Sequence, residues 1–540
     1  MEKITNIEST LWEMANKLRG AMDASEYKNY ILGFMFYMFL SDKQEKYLTS
    51  QDLIEIKPGQ TFTDAFLEIK DDQENYKEYE EDITAALGYM IKPDYTWPVL
   101  IQKIQEGKII PSDYQDIFDS FNESTKMNKD AEQDFRGIFA DMNLGDSRLG
   151  NSTIERAKSL GRIVELVNTI NFEEKSDKDV LGHIYEYLIG QFAANAGKKG
   201  GEFYTPHEVS QIMARIVTNG VKKEADQDFS VFDPACGSGS LLLTVGHALN
   251  GDQNPGVIKY YGQELNTTTY NIARMNLIMH DVDYKDMTLR NNDTLKGDWP
   301  DGPDAFGIDR PRSFDAVVAN PPYSAHWDAE ESMMKDPRFK DYGKLAPKTK
   351  ADMAFLLDGL YHLNGDGTMA IVLPHGVLFR GAAEGVIRKT LIEKNHIDTV
   401  IGLPANLFYG ASIPTIIMIL KKNKPSKDIL FIDASQYFKK AKNKNVLTEE
   451  DIDRIVKAYE ERKDIEKYAH VASLKEVQEN DYNLNIPRYV DTSEEEEEID
   501  IQEVLKSLHE IDKEIEELNK VINEDLISLG IIKESAEGIN

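Results

Sequence analysis

The sequence predicts an α/β protein in which an open sheet with crossover helices follows a helical N-terminal region and precedes a C-terminal coiled-coil-type helix. Three observations predict it. From about residue 200 to residue 435, short apolar or β-branched runs alternate with helical periods, the pattern of strands joined by crossover helices. Before them, apolar residues recur at helical spacing, as in Leu11, Trp12, Ala15, Leu18 and Met22. After them, Ile501, Val504, Leu508, Ile511, Ile515, Leu518 and Ile522 step alternately by three and four residues, a heptad seam with Glu and Lys around it. The expected divisions are 1–150, 151–490 and 491–540.

Composition bounds the rest. The length of 540 residues suits about three or four domains, and 41% hydrophobic residues build sizeable cores, which excludes a disordered chain as a whole. The single cysteine, Cys236, excludes an intramolecular disulfide framework and a multi-cysteine zinc site, so no metal site is expected. It fits a reducing cytoplasm. The apolar run Tyr30 to Leu40 has 11 residues where a membrane span needs about 20, and no signal peptide precedes it, so no membrane segment is expected. The net charge of −32 runs against the basic balance of most duplex-binding proteins. It reads either as plain solubility or as a chain whose grip on a polyanion comes from a more basic partner.

In chain order, Ile31 to Leu40 extends the helical region, and the charged stretch Lys70 to Asp82 reads as a solvated helix or loop. Ile163, Leu166, Val167 and Ile170, then Val180 to Phe192, continue as helix until the Gly-Lys-Lys-Gly-Gly run at 197–201 breaks it. Strands are expected at Phe229–Phe232, Tyr260–Gln263, Ala316–Ala319, Met369–Leu373, Ile397–Leu403, Thr415–Leu420 and Leu430–Asp433. The segment 330–350 lacks periodicity and reads as a surface loop or as one that orders over a ligand. Glu494 to Glu498 is a pure acidic block, and the heptad seam after it wants a partner helix, on another chain or on its own domain.

Ser230 to Leu242 has the form strand, glycine turn, helix. Glycines let backbone approach a ligand closely, and the helix start offers free N–H groups. Such a turn alone serves any dinucleotide fold. Three details point elsewhere. The third glycine of G-x-G-x-x-G is missing. Asp233-Pro234 stands at the strand tip, where an acid suits a positively charged amino acid better than a pyrophosphate. Glu264 closes the next strand, where an acid accepts from ribose hydroxyls. Asp293, after a third strand, would accept from an adenine amino group. Alone, each acid is as well read as a cap or a turn; together they outline S-adenosylmethionine, held by Asp233, Gly237, Ser238, Gly239, Ser240, Glu264 and Asp293.

Phe314 to Ala319 then runs as a buried strand into Asn320-Pro321-Pro322-Tyr323, the candidate catalytic residues. An exocyclic amine conjugated to a ring is a poor nucleophile. Acceptors on the Asn320 side chain and the Pro321 carbonyl would draw its nitrogen toward tetrahedral geometry and free the lone pair for attack on the sulfonium methyl. Tyr323 offers a face to a base that has left the duplex. The tetrapeptide by itself suits adenine, cytosine or a glutamine amide.

The ordered motifs resemble those of the modification (M) subunits of type I restriction–modification systems, amino-methyltransferases of the γ type. Gly201-Glu202-Phe203-Tyr204-Thr205-Pro206 resembles that family's first cofactor motif, and Asp352-Met353-Ala354-Phe355 a later cofactor-side segment. Leu403 to Phe408 followed by Ile413-Pro414-Thr415 resembles the segment that supplies a second aromatic, here Phe408, to the flipped base. Asp179 to Glu186 and Tyr482 to Tyr489 also look like this subunit, so the resemblance spans nearly the whole chain. It implies a Rossmann-like S-adenosylmethionine-dependent methyltransferase sheet that methylates adenine N6 in double-stranded DNA with the adenine flipped out. It implies cofactor contacts from Glu202, Phe203, Tyr204, Thr205 and Pro206. It also implies two M subunits for one specificity (S) subunit that reads the sequence, and a restriction (R) subunit in the full complex. On this reading the acidic charge and the heptad seam belong to a chain that relies on the S subunit. The competing readings are a non-catalytic DNA clamp and an Asn-Pro-Pro-Tyr methyltransferase acting on protein glutamine or RNA.

Overall fold

The computed structural model describes residues 24–70, 73–169, 205–221, 227–251, 257–297, 313–408, 413–441, 444–492 and 501–532, with 185, 187–190 and 299. Leu11 to Met22, most of Val180–Phe192, Glu202–Tyr204 and the acidic block at 494–498 lie outside the described residues. The chain forms two compact units, Met1–Val490 and Asp491–Asn540.

Helix α1 (Ala24–Ser50) is apolar on every side between Tyr30 and Leu40: Ile31, Leu32, Phe34, Met35, Phe36, Tyr37 and Leu40 are all buried. A helix of that kind belongs inside a core. It packs on α4 (Trp97–Gln105), on α7 (Thr153–Asn168) and on α10 (Thr267–Met279), and Phe34 and Tyr37 meet Phe118. Ser152 and Glu155 close a capping box that starts α7. The packing of the helical region therefore runs on to Asn168.

The sheet has nine strands in the order β11-β8-β6-β7-β5-β4-β1-β2-β3. They are β1 (Phe229–Asp233), β2 (Ile258–Gln263), β3 (Met287–Arg290), β4 (Phe314–Ala319), β5 (Leu363–Pro374), β6 (Ile397–Gly402), β7 (Thr415–Lys421), β8 (Ile429–Asp433) and β11 (Ala469–Ala472); β9 and β10 form a separate hairpin. Strands β1 to β5 pair in parallel, and β7 lies antiparallel between β5 and β6. All seven expected runs are strands. Two more flank them at the sheet edges: β3, the third strand expected before Asp293, and β11, which was not expected. The strand order reverses between β1 and β4, and a sheet of this kind binds ligands at the carboxyl ends beside that switch point.

Helix α10 begins just beyond the end of β2 and carries a buried polar attachment to the helical region. The Arg274 guanidinium, 2% exposed, donates to the carbonyls of Gln133, Asp134 and Arg136. Asp141 accepts from Thr268 and Asn271 of the same helix.

The segment 330–350 is mostly exposed or half-buried and is pinned by buried residues. Arg338 and Phe339 within it are each 1% exposed, and Trp327 just before it stacks edge-on against Phe339. The Arg338 guanidinium reaches Asp358 at 2.8 Å, Asp336 at 2.8 Å and the carbonyls of Thr294 and Gly297 at 2.6 and 3.0 Å. In the second unit, one helix covers Ile501–Ser528, and the seam residues from Ile501 to Ile522 are exposed.

Candidate active site

Asp233 ends β1 almost fully buried, its Oδ1 accepting the Ala235 N–H at 2.9 Å. The backbone then turns through Gly237 (φ 55°) and Gly239 (φ 77°), a left-handed conformation that favours glycine. A Cβ on Gly239 would stand 2.5 Å from Leu277 Cδ1, so the turn also needs glycine to lie against α10. Gly237 N–H donates to Glu264 Oε2 at 3.1 Å, and Cys236 N–H to the Gln263 carbonyl at 2.9 Å. These bonds bring the tips of β1 and β2 together. Ser238 and Ser240, at the start of the following helix, bond each other at 3.0 Å, and Asn276 donates to the Ser238 carbonyl.

Burial pushes the Asp233 carboxyl up to about 8, against the Ala235 hydrogen bond and helped by the nearby Glu264 charge. Burial also raises Glu264, opposed by three backbone N–H groups. Neither acid has a cationic partner among the described residues. A buried and a half-buried carboxylate without counter-charge suit a ligand that brings a cation to one and hydroxyl donors to the other. Leu265 follows Glu264 with 67% of its surface exposed, an apolar plate at the rim that sequence reading passed over. Its signal is an apolar residue directly after a strand-tip acid.

Asp293 stands three residues past β3, and its Oδ1 accepts the N–H groups of Leu295 and Lys296. The structure therefore shows it capping a turn. Beside it Thr294 donates to the Pro234 carbonyl at 2.6 Å, which ties this loop to the glycine turn.

At the end of β4, Asn320 is 9% exposed and held from two sides. Its Nδ2 donates to Thr205 Oγ1 at 3.0 Å, and its Oδ1 accepts the Tyr323 hydroxyl at 2.8 Å. One lone pair of that Oδ1 remains for a further donor. Pro321 is buried and Pro322 half-buried. Pro206, next to Thr205, offers its carbonyl to the N–H groups of Val209 and Ser210 at the start of the helix His207–Val217. Tyr323 meets Phe408 edge to face, centroids 6.0 Å apart at 80°.

Ser324 takes a left-handed φ of 53°, and its N–H donates to Asp352 Oδ1 at 2.8 Å. Asp352, fully buried, lies 3.5 Å from Arg380, which also reaches Glu384. The Asp352 segment thus holds the turn after Asn320. The structure brings Asn320, Tyr323, Thr205 and Phe408 into one cluster and Asp233, Gly237, Gly239 and Glu264 into another. The neighbouring strands β1 and β4 carry the two.

Among the described residues, no helix is long and apolar enough to cross a membrane. A family model described as N-6 DNA Methylase matches residues 176–498, and one described as HsdM N-terminal domain matches residues 7–167. The methylase subunit of the type I restriction enzyme MpnII from Mycoplasma pneumoniae is 38% identical over 520 residues, covering 94% of each chain. The methylase subunit of the type I restriction enzyme MjaVIII from Methanocaldococcus jannaschii is 32% identical over 95% of this chain and 82% of its own. The crystal structure of the methyltransferase subunit of a type I restriction–modification system from Streptococcus thermophilus superposes with a TM-score of 0.82 at 44% identity, covering 91% of this chain and all of the other. With a strand-tip acid, a glycine turn, a second strand-tip acid and an Asn-Pro-Pro-Tyr element in that order, the chain belongs to the N-6 DNA methylase family, among the methylase subunits of type I restriction enzymes.

Proposed function

We propose that this chain transfers a methyl group from S-adenosylmethionine to N6 of a flipped adenine in DNA, within a complex whose S subunit selects the sequence. The observation that carries the reading is the Asn320 side chain, held by Thr205 and Tyr323 at the strand end beside the switch point. The cofactor fits the two uncompensated acids. Asp233 would take its ammonium group and Glu264 its ribose hydroxyls. Gly237 to Ser240 would line the turn, Leu265 and Asp293 would flank the adenine, and Glu202 to Pro206 would contact the cofactor. When bound, it supplies a methyl group on a positively charged sulfur.

The chain's own residues do the rest. Asn320 Oδ1 and the Pro321 carbonyl accept from the two N–H bonds of the target amine and hold its lone pair in line. No strong base is needed, because the amine's extra proton leaves after the methyl has arrived. Tyr323 and Phe408 form the walls for the base. Stacking worth about 1–3 kcal/mol offsets the few kcal/mol that extruding a base costs. Tritiated methyl transfer to DNA followed by nucleoside analysis tests the reading. N6-methyladenine is expected. N4-methylcytosine, or label in protein or RNA alone, would overturn it.

The raised Asp233 carboxyl predicts a proton-linked affinity. Asp233 is protonated below about 8 in the free protein, and a bound ammonium group favours its charged form. Binding then releases a proton at neutral pH, and cofactor affinity falls up to about tenfold for each pH unit below 8. Calorimetry in buffers of different ionisation enthalpy reads the proton directly, and a pH-independent affinity between 6 and 8 counts against the assignment. For the fold the sign is opposite. A carboxyl raised above its unfolded value stabilises at low pH, and that contribution is lost as pH rises through about 8.

The proposed organisation is a helical domain over 1–150, a catalytic domain over 151–490 and an acidic linker with a helical tail over 491–540 that contacts the S subunit. Two M subunits per S subunit, an R subunit in the full complex and a cytoplasmic site complete the reading. Seam residues such as Leu508 and Leu518, more than half exposed, want a partner helix. Truncation after Val490 should abolish capture of the S subunit in a pull-down; undiminished capture would place the contact elsewhere.

A further inference from the structure

The stretch between Asp433 and Glu449 contains Lys439, Lys440, Lys442 and Lys444 and no acid, in a chain of net charge −32. Within it, β9 (Lys439–Lys440) and β10 (Asn445–Val446) form an antiparallel hairpin with Lys440 opposite Asn445. Lys439 and Lys440 are exposed, and neither has an ion pair among the described residues. The hairpin is fastened to the base-side loop. Asn445 donates its N–H to the Asn406 carbonyl at 2.9 Å and its Nδ2 to the Ala405 carbonyl at 2.8 Å. Two residues beyond Asn406, itself left-handed with φ 57°, Phe408 faces Tyr323. The two exposed cations are therefore held in a defined position relative to the aromatic pair.

We infer that this hairpin grips the DNA backbone, with Lys439 and Lys440 contacting the phosphates that flank the adenine being methylated. The inference rests on the function proposed above. A base turned out of the duplex stays joined to its own phosphates, so groups fixed to the rim of its pocket meet the backbone next to it. Lysine suits a phosphate as a point charge without demanding a base sequence, which matches a chain that leaves sequence reading to another subunit. The local absence of acids matters as much as the lysines, because the chain's net charge of −32 opposes a polyanion overall.

The test uses the full chain co-purified with its S subunit, with tritiated methyl transfer to unmethylated DNA measured against salt for wild type and for the double variants K439E/K440E and K439R/K440R. The charge reversal should raise the KM for DNA at least tenfold. It should also make the dependence of log KM on log salt shallower by about two, at roughly 0.9 per phosphate lost. It should leave kcat at saturating DNA and the cofactor dissociation constant within twofold, and the arginine pair should behave as wild type. An unchanged KM and salt slope in K439E/K440E would overturn the inference while leaving the function intact. So would loss of S-subunit capture by that variant, which would assign the hairpin to a protein partner. A wild-type complex that methylates no adenine would instead overturn the functional reading itself.

Discussion

Replacing Asn320 with alanine should lower the rate of methyl transfer to DNA about a thousandfold, the scale set by removing one group that meets the reacting atoms in the transition state. The cofactor dissociation constant should stay within about threefold, because the acids and glycines proposed to hold it sit on other strands. The variant loses the acceptor for the target amine. It also strands two hydroxyls, Thr205 Oγ1 and the Tyr323 phenol, which now bond to the two ends of the Asn320 amide. Some loss of stability, about 1–2 kcal/mol, should accompany the catalytic loss. Single-turnover kinetics at saturating cofactor separates the two effects. A variant that keeps more than about a tenth of the wild-type rate would remove Asn320 from the chemistry.

The second large effect falls on the fold. Asp358→Ala should cost about 3 kcal/mol, because it leaves the guanidinium of Arg338 buried with only Asp336 as a counter-charge. The double variant Arg338→Met with Asp358→Leu should recover much of that loss, since a well-packed apolar pair avoids burying charge at all. Denaturant unfolding followed by tryptophan fluorescence suits the measurement, as Trp299 and Trp327 belong to the same buried cluster. A cost below about 1 kcal/mol for Asp358→Ala would mean that Asp336 and the two backbone carbonyls suffice.

The sheet was legible where strands are buried on both faces. Ile397–Gly402 and Thr415–Lys421 read as apolar runs because both sides meet protein. Met287–Arg290 was expected only from the place of Asp293, and Ala469–Ala472 not at all, because four residues with half their side chains toward the surface carry too short a pattern. Nor did any pattern tell that β7 enters antiparallel between β5 and β6, since order depends on connections rather than on composition.

In the site, the strand-tip acids and the proline pair were visible as chemistry out of place: charge at the end of an apolar run, rigidity where a strand stops. What could not be read is pairing across distance. Thr205 reaches Asn320 across 115 residues, and Asp352 takes the Ser324 N–H from 28 residues away. The helix that carries Asp352 and Asp358 is otherwise apolar, and two acids six residues apart on it were the one available sign that buried cations await them. Phe408 as the partner of Tyr323 came from the family likeness alone.

The attachment of the helical region through Arg274 has a consequence for how such proteins can be recombined. The helix that follows Glu264 ends its guanidinium on three carbonyls supplied by residues 133–136 of the other region. A sheet excised from this chain would lose those three carbonyls and the helix α1 that α10 packs on, leaving α10 with a face made for burial open to water. The helical region is therefore a foundation for the sheet as well as a platform beside it. A chimera that exchanges one must transplant the matching carbonyl loop with it.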